Sequence, residues 1–174
     1  MTDPVGSNSD TVNVTIVDTI APTIACPANV VVDATATSGA VASYSAPNAA
    51  DSCSVRSVAC VAPSGSTFPV GTNTVQCTVS DFASHTASCS FTVNVKSPAE
   101  QAADLIAQIN GLPGVQDGAK SSFIAKLNAA IAAIASGNAK PACNVLQALL
   151  NAVQAQAASL VADITRIRAA LGCS

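Results

Sequence analysis

Seven cysteines, one histidine and ten carboxylates are the residues of this chain with chemistry to offer. Cys26, Cys53, Cys60, Cys77, Cys89, Cys143 and Cys173 are widely spread. Zinc sites favour tight pairs of cysteines two residues apart, with histidine nearby, and neither is present. Wide spacing argues for disulfides, and disulfides argue for an oxidising compartment. An odd count leaves one thiol over, either free or bonded to another chain.

Catalysis needs groups that converge, and few are on offer. His85 has the chemistry of a base or a metal ligand, but it stands in a polar turn beside Ser84 and Thr86, where a solvated ring is expected. Asp33, Asp51 and Asp81 have the oxygen chemistry of a calcium site. No loop of closely alternating Asp brings them together in the sequence, so turn and cap roles are expected instead. Only Lys96 lies in the right region for an intramolecular isopeptide bond, and Asn13-Val14-Thr15 has the form of a glycosylation acceptor. The reading assigns no catalytic residue, no metal ligand and no cofactor.

Charge narrows the partners. Charged residues make up 10% of the chain, with a formal net charge of -3, and no basic patch is available for a phosphate backbone or an anionic membrane. Neither nucleic acid binding nor membrane insertion is expected, because the apolar stretch from Phe123 to Ile134 is broken by Lys126 and Asn128 and is too short to span a bilayer. The polar start, Met1 to Asp10, lacks the apolar core of a leader, so an exported chain of this kind is expected to be a fragment.

The elements that must position these residues change character near Lys96. From Thr11 to Val95 the chain is rich in Val, Thr, Ser, Ala and Pro, in short alternating runs that read as strands. Val75, Cys77 and Val79 share one face of a strand, and so do Cys89, Phe91, Val93 and Val95. Residues 80–87 suit a hairpin link. Weaker strands are expected at Thr23 to Cys26, Val30 to Ala34, Ala40 to Tyr44 and Val55 to Val61, with a loop from Pro63 to Gly71. Such spacing predicts a sandwich of two antiparallel sheets. Cys60 and Cys77 are in phase with inward Val, which favours a bridge between them, and Cys26 follows Ile24 on one face, with Cys89 as its partner. Each bridge is worth about 2 to 4 kcal/mol. Cys53 is left without a mate, as a free or intermolecular thiol.

At the start of the chain, Thr2-Asp3-Pro4-Val5-Gly6-Ser7-Asn8 and Thr11-Val12-Asn13-Val14-Thr15-Ile16-Val17 resemble Ser80 to His85 and Ser90 to Val95. Residues 1–17 therefore read as the closing strand of a preceding repeat, or as an orphan strand free to pair elsewhere.

Beyond Lys96 the spacing is helical. Ser97-Pro98-Ala99-Glu100 is a capping-box start. Leu105, Ile106 and Ile109 face inward in the first helix, and Phe123, Leu127, Ile131 and Ile134 in a second from about Ala119 to Ser136. Leu146, Leu149, Leu150 and Val153 do so in a third from near Pro141, and Leu160, Ile164, Ile167 and Leu171 in a fourth from about Ser159. Four antiparallel helices with short loops make a bundle, and bring Cys143 near Cys173. The organisation expected is residues 1–17 as a remnant or orphan strand, 18–96 as a β-sandwich and 97–174 as a four-helix domain.

The runs Ile20-Ala21-Pro22, Cys26-Pro27-Ala28-Asn29, Pro47 to Asp51, Pro63 to Gly71, Thr74-Val75-Gln76-Cys77 and Cys89-Ser90-Phe91-Thr92-Val93 together resemble the hyalin repeat (HYR) domain over about Asp18 to Val95. The resemblance implies an immunoglobulin-like sandwich in an extracellular, adhesive setting. Many members have Gly-Asn in the last hairpin, where this chain has Ser84-His85. Some bacterial members carry a further Cys where this chain has Thr37-Ser38-Gly39, which would account for an unpaired Cys53. The tail resembles the FIMAH-type C-terminal helical domain of bacterial exported proteins, through Phe123 to Leu127, Ala130, Gly137-Asn138 and Leu146 to Val153.

The expectation is a non-enzymatic module combining an all-β immunoglobulin-like sandwich with a separate all-α bundle, exported to the cell surface or medium. It would form the C-terminal part of a multidomain bacterial protein and meet other protein chains, matrix or surface ligands. Two other readings are a filament subunit that self-assembles by adding its N-terminal strand to a neighbour, and an accessory domain of a secreted enzyme.

Overall fold

Alternation of Val with Thr, Ser or Asn builds strands up to residue 96, and Ala-rich spacing builds helices after it. In the computed structural model, which describes residue 13, residues 15–154 and residues 156–173, the strands are β1 (Thr23–Ala25), β2 (Val30–Asp33), β3 (Ala40–Ala42), β4 (Asn48–Ala50), β5 (Val55–Cys60), β6 (Ser66–Phe68), β7 (Gly71–Asp81) and β8 (Thr86–Lys96). The helices are α1 (Pro98–Gly111), α2 (Asp117–Ala135), α3 (Ala139–Val153) and α4 (Val161–Ala170), the last entered through one 3-10 turn, Ala158–Leu160.

β7 and β8 are the longest strands and pair from Gly71 opposite Val95 to Ser80 opposite Thr86. Their alternation puts Val75, Cys77, Val79, Phe91, Val93 and Val95 in the core. β5 lies antiparallel along β7, with an irregularity between Val55 and Ser57, and β2 lies parallel along β8. The result is one four-stranded mixed sheet, β2-β8-β7-β5, and two two-stranded sheets, β1-β4 and β3-β6. This differs from two antiparallel sheets, because phase sets which face a side chain takes and says nothing of strand direction. Two short strands, β4 and β6, are not among those expected, and β6 lies within the stretch expected to be a loop. Ala40, Ala42 and Phe68 from the β3-β6 pair join Val75, Phe91, Val93 and Val95 in one core, with Ile24 and Tyr44 packed against it.

Gly39 turns the chain into β3 with φ of +115°, and a Cβ built there would stand 1.9 Å from the Phe68 carbonyl oxygen. Only glycine lets these backbones approach so closely.

In the helices, Leu105, Ile109, Phe123, Leu127, Leu146, Leu149, Val153, Ile164 and Ile167 are buried together. Ala130 is buried with them, Ile131 packs against them from a half-buried position, and Ile134, expected inward, is half-buried outside this cluster. Ser97 caps α1: its hydroxyl oxygen accepts from the Glu100 N–H, and the Glu100 carboxylate accepts from the Ser97 N–H.

The helical part is joined to the strands by more than the single residue Ser97. Ala170 of α4 sits in the β core. Gln101, 3% exposed, donates to the carbonyls of Ala34 and Lys96 at 3.0 and 3.1 Å. Arg166 bridges Asp33 at 2.9 Å and Asp163 at 2.8 Å. A bundle read as separate from the sandwich thus shares buried surface with it, since polar and small residues that look solvent-facing in a helical wheel here meet a second layer.

Candidate functional site

The hairpin end of β7 and β8 carries the strongest grouping of reactive side chains. Asp81 closes β7, and its N–H donates to the His85 carbonyl at 3.2 Å. Ser84 takes φ of +74° to make the turn, which swings the His85 N–H onto Asp81 Oδ1 at 2.8 Å and its ring Nδ1 onto Asp81 Oδ2 at 2.9 Å. Asp81 is fully buried, and the His85 side chain is 38% exposed. Burial pushes the Asp81 carboxyl up, but the hydrogen bonds from the His85 ring and backbone, the charge of the ring and the Ala83 N–H outweigh it, and the group is held below the usual carboxylate range. An ionised Asp81 accepts only, so Nδ1 carries the proton of that contact.

Asp18 comes to the same place from the far side of the sequence. Its Oδ1 accepts from the Ile20 N–H at 3.1 Å, and one ligand atom from each of Asp18, Asp81 and His85 lies within 4.8 Å of the others. Asp51 stands at the same end, four residues ahead of Val55, whose register partner is Asp81. Its Oδ2 accepts from the N–H groups of Cys53 and Ser54, both at 2.9 Å, while its Oδ1 is buried without a hydrogen-bond partner.

Expectation and placement differ here. Asp33 is at the opposite end of the four-stranded sheet, opposite Lys96 and paired with Arg166, so Asp33, Asp51 and Asp81 do not form a trio. His85 is anchored by a buried carboxylate rather than standing free in solvent. Asp18 is the member of the group that spacing does not mark; its one local signal is the short Asp turn onto Ile20.

The sulfur atoms lie elsewhere. Cys60, Cys77 and Cys89 stand in one row across β5, β7 and β8. Cys60 is bonded to Cys77 at 2.03 Å, joining neighbouring strands within the sheet, and Cys26 to Cys89 at 1.96 Å. Cys143 of α3 is bonded to Cys173 just past α4 at 1.91 Å. Cys53 is an exposed free thiol. A shallow apolar groove beside β5 is lined by Tyr44, Ala46, Pro47, Val58 and Pro63. Its Tyr44 hydroxyl is tied down, donating to the Ala62 carbonyl at 2.6 Å.

The cysteine row, the groove and the Asp18, Asp81 and His85 grouping all fall within one stretch of chain. Residues 17–95 match the HYR domain family. HYR domains are in general extracellular, adhesion-type modules and a non-enzymatic family. The HYR match takes in all eight strands but for Lys96 and stops before the helices. No curated protein and no solved structure matches the chain. Among the described residues, no helix is long and apolar enough to cross a membrane.

Proposed function

We propose that this chain is a non-enzymatic structural or adhesive module exported to the cell surface or medium, the C-terminal part of a multidomain bacterial protein. The observation that carries the reading is the HYR match over residues 17–95 together with two disulfides inside it, since disulfides persist where proteins are exported. The strands form an immunoglobulin-like sandwich on this reading, with 18–96 and 97–174 as its two domains, the latter a FIMAH-type terminal piece. Its partners are other protein chains or surface ligands met through loops and the groove beside Tyr44. The test is to locate the natively expressed protein by protease accessibility on intact cells, with thiol labelling. Surface exposure with oxidised Cys26, Cys60, Cys77 and Cys89 supports the reading; a cytosolic, fully reduced protein refutes it.

A second reading, self-assembly by strand addition, is favoured by the exposed apolar side chains of Ile16 and Val17, 87% and 71% accessible, which belong to no strand. The rest of residues 1–17 lies outside the described residues apart from Asn13 and Thr15. Deleting residues 1–17 abolishes assembly if strand addition drives it; unchanged assembly rejects it. Service as an accessory domain of a secreted enzyme requires a catalytic domain in the same gene.

A further inference from the structure

We propose that Asp18, Asp81 and His85 form a binding site for a divalent transition cation of the zinc type, placed where the chain enters the β region. Three observations converge on it. One ligand atom from each residue lies within 4.8 Å of the other two, while zinc holds nitrogen and carboxylate oxygen at about 2.0 to 2.2 Å. Ligand atoms around a tetrahedral ion at that distance are about 3.4 Å apart, so side-chain rotations that move the ligand atoms by about an ångström close the site.

Charge asks for a cation. Two carboxylates converge on one imidazole, and one of them, Asp81, is fully buried. A neutral ring leaves that pair uncompensated, which a divalent ion would offset. At the same end of the sheet, outside this grouping, Asp51 Oδ1 is buried with no donor of its own. An acceptor buried in this way costs free energy unless something electropositive reaches it.

The donor set chooses the ion. An imidazole nitrogen among two carboxylates suits zinc and its neighbours, whereas calcium prefers oxygen throughout. The ion would take the place of the proton that His85 Nδ1 gives to Asp81 Oδ2, 2.9 Å away, with that proton released to solvent. Asp18 follows the N-terminal segment directly, so the ion would clamp that segment to the β7–β8 hairpin. If residues 1–17 end a preceding repeat, the clamp fixes the angle between repeats; that consequence, unlike the site, rests on the array reading.

His85 is the only histidine in the chain, so its imidazole signals report on one site. The full chain, stripped with a chelator and carrying Cys53→Ser to remove thiol binding, is titrated with zinc chloride by calorimetry and followed by imaging the ring nitrogens with long-range 15N correlation NMR. One equivalent is expected, with the His85 signals displaced. Asp18→Asn and His85→Asn should each weaken binding by about tenfold or more. Asp81 is left intact because it holds the hairpin. No zinc uptake, uptake that leaves the His85 signals in place, or affinity unchanged in both variants overturns the site. Uptake of calcium in preference to zinc overturns the assignment of the ion class. None of these outcomes bears on export or adhesion, which the cellular test addresses.

Discussion

Gln101 of α1 donates its side-chain N–H to the carbonyl of Ala34, 67 residues earlier in the chain, across the contact between helices and strands. The same amide reaches the Lys96 carbonyl, and its oxygen accepts from Arg166 Nε at 3.4 Å. One nearly inaccessible side chain thus meets groups just past β2, at the end of β8 and on α4 together.

Replacing Gln101 with Leu should therefore cost more than a surface change. It strands the Ala34 carbonyl without its side-chain donor, a loss of about 1 to 3 kcal/mol. Arg166→Ala, at a partly exposed ion pair, should cost about 1 kcal/mol or less. Urea unfolding of the full chain compares them; equal effects would show that the junction is not held by the buried amide.

The disulfides should differ in worth by the loops they close. Cys26 and Cys89 are 63 residues apart, Cys60 and Cys77 only 17. Chain-entropy reasoning gives about 4 kcal/mol for the first and about 3 kcal/mol for the second. Paired Cys→Ala variants followed in guanidinium should rank in that order, and the reverse ranking would mean that local packing, not loop closure, sets their contribution.

Gly39→Ala should be among the most damaging single changes in the β region. The added methyl meets the Phe68 carbonyl, and φ of +115° disfavours any side chain. A loss of about 2 to 3 kcal/mol is expected, read as a lowered midpoint of thermal unfolding. Gly65→Ala is the comparison, because it shares a positive φ but has open space where the Cβ would go; the difference between them isolates the clash.

Acid should loosen the start of α1. The Ser97 backbone N–H, then its hydroxyl, hold the Glu100 carboxyl below its usual range. Its pKa is thus lower folded than unfolded, where about 4.3 is ordinary. The contribution is complete above that value and is lost as pH falls through the lower folded one. Wild type should exceed Glu100→Gln in stability at pH 6, with the gap closing toward pH 2. Ser97→Ala should cost about 0.5 to 2 kcal/mol at neutral pH. A gap independent of pH would remove the carboxylate from the cap.

Local patterns were legible wherever a residue's neighbours along the chain dictate its surroundings. Alternation from Thr74 to Val79 and from Cys89 to Val95 marked β7 and β8, and Ser97-Pro98-Ala99-Glu100 marked the start of α1, since both depend on spacing alone. Apolar phase picked out Leu105, Ile109, Phe123, Leu127, Leu146 and Ile164 as buried, because a helix face repeats with a fixed period. The same phase put Cys60, Cys77, Cys26 and Cys89 on inward-looking faces. Short β4 and β6 gave too few residues for any period to show.

Direction and convergence are another matter. Nothing in Val30-Val31-Val32 says that β2 runs parallel to β8, because the choice rests on where the chain between them travels. Asp18 meets Asp81 and His85, and Gln101 meets Ala34, only once strands and helices have stacked. Periodicity is a property of consecutive residues, written into the chain from the outset; a site assembled from positions 18, 81 and 85 is a property of closed loops, and exists only after long-range burial has overcome the entropy of closing them.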